Sequence, residues 1–172
     1  MHVNKGNKMD SVKLLDEIIE HQKKNDKSYP AQEHRLTQLC IRVNKIIQDN
    51  TSKLLSKYRI NDSMFMIMFL LSSMDNSCLS PSDISKYLQT SRTNVTRVTD
   101  SLERLGFIRK IDSRDDRRSK YIYLTHEGDL FLQQIIRIQS VYFEKIWCSL
   151  TVDEIELFEI ISKKLLLSQF KK

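Results

Sequence analysis

A chain of 172 residues with two prolines and three glycines is long enough for one packed unit and has little material for a long flexible linker. Its net charge of +6 and pI near 9.2 favour a polyanionic partner. The longest apolar run, Met64 to Leu71, is far short of the roughly 20 residues that span a bilayer, and the first ten residues lack the apolar stretch of a secretory signal. The expectation is a cytoplasmic protein with no membrane partner.

In chain order, Val12, Leu15, Ile18 and Ile19 fall three or four apart and predict a short amphipathic helix. After Tyr29-Pro30 a longer helix carries Leu36, Leu39, Cys40, Val43, Ile46, Ile47, Leu54 and Leu55. Both stripes need a surface to cover. The run from Met64 is apolar on nearly every side, which predicts a buried helix whose methionines fill gaps in the core. Leu79 to Leu88 reads as the first helix of a helix-turn-helix: Ser80 is its cap, Pro81 sits where a missing amide proton costs least, and Asp83 follows three residues after the cap. Ile84 and Leu88 form its apolar edge, and Gln89-Thr90 the turn.

Ser91 to Gly106 is the most informative segment. Ser91 can accept from a first-turn amide, Gly106 can stop the helix in the left-handed region, and Val95, Val98, Leu102 and Leu105 make an inward stripe. Arg92, Thr93, Asn94, Thr96 and Arg97 then point outward near the N-terminal end, as in a helix laid in a major groove. Arginine suits guanine, asparagine suits adenine, and a threonine methyl can lie against that of thymine. Phe107 to Ile111 and Lys120 to Leu124 pair as a hairpin. Its loop brings Arg114, Arg117, Arg118 and Lys120, tempered by Asp112, Asp115 and Asp116. Segment 91–120 holds nine Lys or Arg against five Asp or Glu, an excess of four. Charges at a hairpin tip can also serve only to discourage edge pairing. Beside Arg92 and Arg97 they favour phosphate or minor-groove contact.

Gly128 to Leu150 is a long helical stretch, and His126 belongs to the first turn after Thr125. T-V-D-E at 151–154 is a capping box opening a last helix with Ile155, Phe158, Ile161 and Leu165 inward. The organisation expected is N-terminal helices over 1–58 for dimerisation, a winged helix-turn-helix lobe over 59–128 and C-terminal helices over 129–172, in one continuous, mainly α unit with a small antiparallel β-hairpin. His2, His21, His34 and His126 are scattered, without zinc, nucleophile-elbow or phosphate-loop patterns, so neither an enzyme, a metal nor a cofactor is expected. Cys40, Cys78 and Cys148 are widely spaced and read as reduced thiols.

S-R-T-N at 91–94, D-R-R at 116–118 and L-T-x-x-G at 124–128 resemble the MarR family of winged-helix regulators, and within it the multidrug-efflux repressor branch called MprA or EmrR, from about Tyr29 to about Leu167. The resemblance implies a homodimer joined by its terminal helices on a pseudo-palindromic double-stranded DNA operator. It implies Arg118 in the minor groove with Asp116 holding the wing, and an effector pocket for a small aromatic or amphipathic compound near Met64, Phe65 and Met68. The function implied is repression of efflux or detoxification genes. Ser113 stands where many members have proline. Cys40 lies where a peroxide-sensing branch carries its reactive thiol, which makes a thiol switch an alternative; that branch continues with a Leu-Tyr pair, and this chain has Val43-Asn44. A winged-helix protein-interaction module is the alternative from another class.

Overall fold

A computed structural model of the chain describes residues 5–74, 78–112 and 120–168, with side chains from residue 11 onward. The elements are α1 (Lys5–Asn25), α2 (Ala31–Ser56), α3 (Asp62–Ser72), β1 (Cys78–Leu79), α4 (Pro81–Tyr87), α5 (Arg92–Arg104), β2 (Ile108–Asp112), β3 (Lys120–Leu124), α6 (His126–Trp147) and α7 (Val152–Ser168). They fall into two units, Met1–Lys53 and Leu54–Lys172.

In the first unit α1 meets α2 through Leu15, Ile19 and Ala31, with Tyr29 and Leu39 alongside. Arg35 of α2 reaches back to Asp16 and Glu20 of α1, 2.9 Å from each. The stripes read from the sequence are wider than this seam. Val12, Ile18, Leu36, Val43 and Ile46 are exposed, and so is Cys40 of α2. Two helices in contact cover one seam only, and the flanking apolar residues stay outside it.

The second unit is built on α3. Met64, Phe65, Ile67, Met68 and Leu71 are buried among Ile84 of α4, Val95, Val98 and Leu102 of α5, Ile108 and Ile122 of the sheet, and Leu132 and Ile135 of α6. The sheet has the order β1-β3-β2, antiparallel throughout, with Ile108 opposite Leu124, Lys110 opposite Ile122 and Asp112 opposite Lys120. Residues Cys78 and Leu79 extend it against Tyr123 and Ile122. This third strand was read as the start of a helix. Two residues are too few for a period-2 signature, and their pairing is with chain more than forty residues away.

Local punctuation sets the boundaries. Ser80 accepts from the Asp83 amide at 3.1 Å and donates to its carboxylate at 2.7 Å, and Pro81 opens α4. Ser91 accepts from the Asn94 amide at 3.2 Å. Thr151 and Glu154 close the capping box from both sides, at 2.8 and 3.3 Å. Gly106 takes φ +78° after α5. Leu105 is exposed, not inward, because the helix has ended at its position and the chain turns away through Gly106. In α7 no residue is buried, so Ile155, Phe158, Ile161 and Leu165, read as inward, are exposed. Even where Phe158 meets Trp147 of α6 at a ring separation of 5.7 Å, one neighbouring helix is too little to bury a face.

The wing begins and ends at one joint. Thr125 caps α6 by accepting from the Gly128 amide at 3.0 Å, donates its hydroxyl to the Gly106 carbonyl at 2.7 Å and its amide to the Phe107 carbonyl at 3.0 Å. Phe107 also stacks on Phe131 of α6, ring centroids 4.3 Å apart. The approach is so close that a Cβ on Gly128 would stand 2.1 Å from the Phe107 carbonyl oxygen. Gly128→Ala is expected to cost about 1 to 3 kcal/mol as backbone is forced apart. Gly106→Ala meets no atom within 4 Å and carries mainly the left-handed backbone cost, about 1 kcal/mol. Urea unfolding should rank Gly128→Ala as the more destabilised variant; the reverse order would show that the joint relaxes freely.

Candidate nucleic-acid interface

The exposed head of α5 follows from what lies under it. With Val95, Val98, Thr99 and Leu102 buried, helical spacing turns Arg92, Thr93, Thr96 and Arg97 outward, and all four are exposed, as is Ser91. The turn before the helix is held by the Ser85 hydroxyl donating to the Thr90 carbonyl at 2.6 Å, with Gln89 at φ 48°. Asn94 is half-buried. Its amide nitrogen donates to Thr90 Oγ1 at 3.0 Å, and its amide oxygen accepts from Arg97 Nη2 at 2.8 Å. The two side chains suited to bidentate base contacts are therefore joined to each other. Thr96 bonds back to the Arg92 carbonyl at 3.0 Å, which leaves its methyl free to make apolar contact.

Of the wing residues read as DNA contacts, Lys120 opens β3 and lies 3.7 Å from Asp112 Oδ1. Arg114, Arg117 and Arg118, and Asp116 read as holding the wing, lie outside the described residues. On the outer face of the sheet, Arg109 stacks over the Tyr123 ring, 5.5 Å from its centre. That contact draws a cation towards the base of the wing.

Three charged residues escaped the sequence reading. Lys110 sits on the helix-facing side of β2, its ammonium paired with Asp100 and 3.2 Å from Glu103 Oε2, while its backbone amide donates to Glu103 Oε1 at 3.1 Å. Burial by itself would depress the Lys110 ammonium, but hydrogen bonds to Asp100 and Glu103 more than reverse this and hold it above its ordinary value. Asp100 is held below the ordinary carboxylate value chiefly by its bond from Lys110. A signal was present: alternation from the apolar Ile108 puts Lys110 on the inward face, and Asp100 and Glu103 are one helical turn apart.

Met64, Phe65 and Met68, read as effector-pocket walls, are buried in the core of the second unit, with Phe65 stacked on Phe69. The nearby cavity of about 500 Å³ is lined from the same helix by Ser63, Met66 and Ile67, and beyond it by Leu88, Gln89 and Asn94. Among the described residues, no cluster of three or more His, Cys, Asp or Glu could hold a metal ion, and no helix is long and apolar enough to cross a membrane.

A short helix, a turn, a second helix with a polar head, and a hairpin closed onto its exit define a winged helix-turn-helix. The sequence profile of the MarR family matches residues 60–120. The HTH-type transcriptional regulator PapX of Escherichia coli is 52% identical over 92% of this chain and 96% of its own. The transcriptional repressor MprA of Escherichia coli K12 is 33% identical over 88% and 86%. In shape the chain is similar to Sco3205, a MarR family transcriptional regulator of Streptomyces coelicolor solved in complex with DNA, with a TM-score of 0.75 over 80% of this chain and 88% of that one, at 18% identity. The chain belongs to the MarR family and is a DNA-binding transcriptional regulator.

The Lys110 cluster sets a pH window. Asp100, with a lowered folded value, contributes stability above its unfolded value near 3.8 that is lost as pH falls through the folded one. Lys110, with a raised folded value, contributes below 10.5 and loses its share as pH rises through the folded one. Both contributions are present at neutral pH. A carboxyl-carbon NMR titration should find the Asp100 midpoint below 3.8 in the wild type and higher in Lys110→Met; coincident midpoints would mean the pair does not persist in solution.

Proposed function

We propose that the protein is a cytoplasmic, homodimeric repressor that lays α5 in the major groove of a pseudo-palindromic operator and reaches the adjacent minor groove with the arginines of segment 113–119. The observation that carries this reading is the outward quartet Arg92, Thr93, Thr96 and Arg97 on a helix whose opposite side is buried. It offers guanidinium and methyl groups to base edges, while Ser91, Asn94, Lys120, Arg114 and Arg117 join the contact set. Arg118 is the minor-groove residue, attracted where a narrow groove concentrates negative potential, and Asp116 holds the wing.

Two protomers are needed because one winged helix reads only half a site. Exposed apolar residues on α7, among them Ile160, Leu165, Leu166 and Leu167, and on α1, Leu14 and Ile18, supply surface for a two-fold interface. Half-sites then lie about one helical turn, roughly 10 bp, apart. That the relative MprA is a repressor supports repression; the genes controlled, on this reading, are those for export or detoxification, as the resemblance of the sequence implies. Release follows if a small aromatic or amphipathic compound prefers the protomer spacing that no longer fits the operator. Met64, Phe65 and Met68 face such a compound only after the core beside α3 opens.

A duplex selected by the wild-type protein from a random-sequence pool provides the test. Asn94→Ala and Arg97→Ala should each lose about 1 to 3 kcal/mol of discrimination between that duplex and mixed-sequence DNA. Because the two side chains are bonded, the double variant should lose less than the sum. Equal losses on both DNAs would show that these residues hold the backbone and read no bases.

Light scattering checks the architecture separately. The expected species is a dimer, free and on DNA, and truncation of residues 1–28 should weaken it. A monomer at micromolar concentration in both states would remove the two-fold reading.

A further inference from the structure

We propose that Lys110, clamped by Asp100 and Glu103, is a positioning residue for DNA reading: it sets the angle between the wing and α5, so that base-reading helix and wing arrive at the duplex in one fixed geometry. The role rests on α5 and the wing being the reading elements.

Its placement is the first argument. Lys110 faces Ile122 in register, beside a residue that is fully buried, and its own side chain keeps only 15% of its exposure. Packing alone would be served by an apolar residue there, without the desolvation and rotamer costs of a lysine. Geometry is the second. Glu103 binds Lys110 twice, taking the backbone amide on Oε1 and the ammonium on Oε2, and Asp100 adds a third bond. Among the described residues strand β2 is an edge of the sheet, so the amide that Glu103 covers has no neighbouring strand there to serve. Three bonds from two residues one turn apart on α5 hold the strand in rotation as well as in distance.

Location is the third argument. Asp100 lies three residues beyond Arg97 on the reading helix, and Lys110 two residues before Asp112, whose partner Lys120 stands at the other side of segment 113–119. The clamp therefore bridges the two reading elements just behind their working ends. Charge sign completes the case. Two carboxylates this near a DNA-facing surface oppose binding to phosphates, so they do not serve affinity for DNA directly.

That last point makes the test sharp. Neutralising Asp100 and Glu103 as Asp100→Asn with Glu103→Gln removes two negative charges, which by charge alone tightens binding to any duplex. If the clamp positions the wing, this variant instead binds the duplex selected by the wild type at least tenfold more weakly, while mixed-sequence DNA is bound as well as or better than before. Lys110→Met, which leaves the two carboxylates unpaired and so weakens mixed-sequence binding slightly, should lose at least tenfold more on the selected duplex with an unchanged salt slope, and Lys110→Arg should recover most of the loss. Melting temperatures measured alongside separate positioning from collapse of the lobe, and the double variant keeps the test alive if Lys110→Met fails to fold. Tighter or unchanged binding of the selected duplex by the double variant overturns the role. So does a salt slope smaller by about one for Lys110→Met, which marks a direct phosphate contact, or a parallel loss on both DNAs. A wild-type protein that selects no sequence from the pool overturns the reading assignment itself, and the positioning role with it.

Discussion

The reading head depends on a single close approach of backbone to backbone, where the end of α5 meets the beginning of α6. Gly128 leaves room for the Phe107 carbonyl, Thr125 bonds to both Gly106 and Phe107, and Phe131 stacks on Phe107. The whole hairpin is thus a closed excursion: the chain leaves α5 and comes back within a hydrogen bond of its exit. Such a closure fixes the root of the wing but leaves its tilt free, since a two-stranded ribbon is only marginally stiff by itself. A short third strand on one side and the Lys110 clamp on the other supply what the joint does not.

Burial and charge are divided along α5 by the helical period. The side carrying Val95, Val98 and Leu102 is under the core, and it is worth several kcal/mol in lost apolar exposure at about 1.5 to 3 kcal/mol per fully buried side chain. On the other side Arg92, Thr93, Thr96 and Arg97 are exposed. Stability and reading are therefore carried by different residues of one helix, and the outward residues are free to be chosen for the duplex. This also explains why the cations Arg92 and Arg97 are tolerated: they stand in solvent, apart from the packed seam, and where a cation does turn inward, at Lys110, two carboxylates meet it.

What was legible in the sequence was local. Ser80, Ser91 and Thr151 announce helix starts because a cap works within three residues of itself, and Gly106 marks a stop for the same reason. Strand β1 was not legible, since its two residues are strands only by virtue of Tyr123 and Ile122. Nor was the burial of the terminal stripes. Periodicity tells that Ile161 and Leu165 share a face of α7, but whether a face is covered depends on what lies against it, and among the described residues little does. The Lys110 cluster sits between these cases. Its alternation was visible, yet partners ten and seven residues upstream become neighbours only after the chain has turned at Gly106.

On the proposed reading of bases by α5, the bond between Arg97 and Asn94 has a consequence for how a duplex would be recognised. An exposed arginine ordinarily loses much rotamer freedom when it docks on a base. Here Asn94 already restrains the guanidinium, and Thr90 in turn restrains Asn94, so part of that ordering is completed when the protein folds. Against this stands the bond itself, which any bidentate contact by Asn94 must exchange for one to adenine. The exchange is close to neutral when the new partner is correctly placed, and it leaves the Asn94 acceptor without a partner beneath the duplex when the base is wrong. A linked pair of this kind gains less on the right sequence than two free side chains would, and loses more on the wrong one. That trade favours discrimination over raw affinity, and it is the balance a regulator needs when phosphate attraction is already supplied by the cations around it.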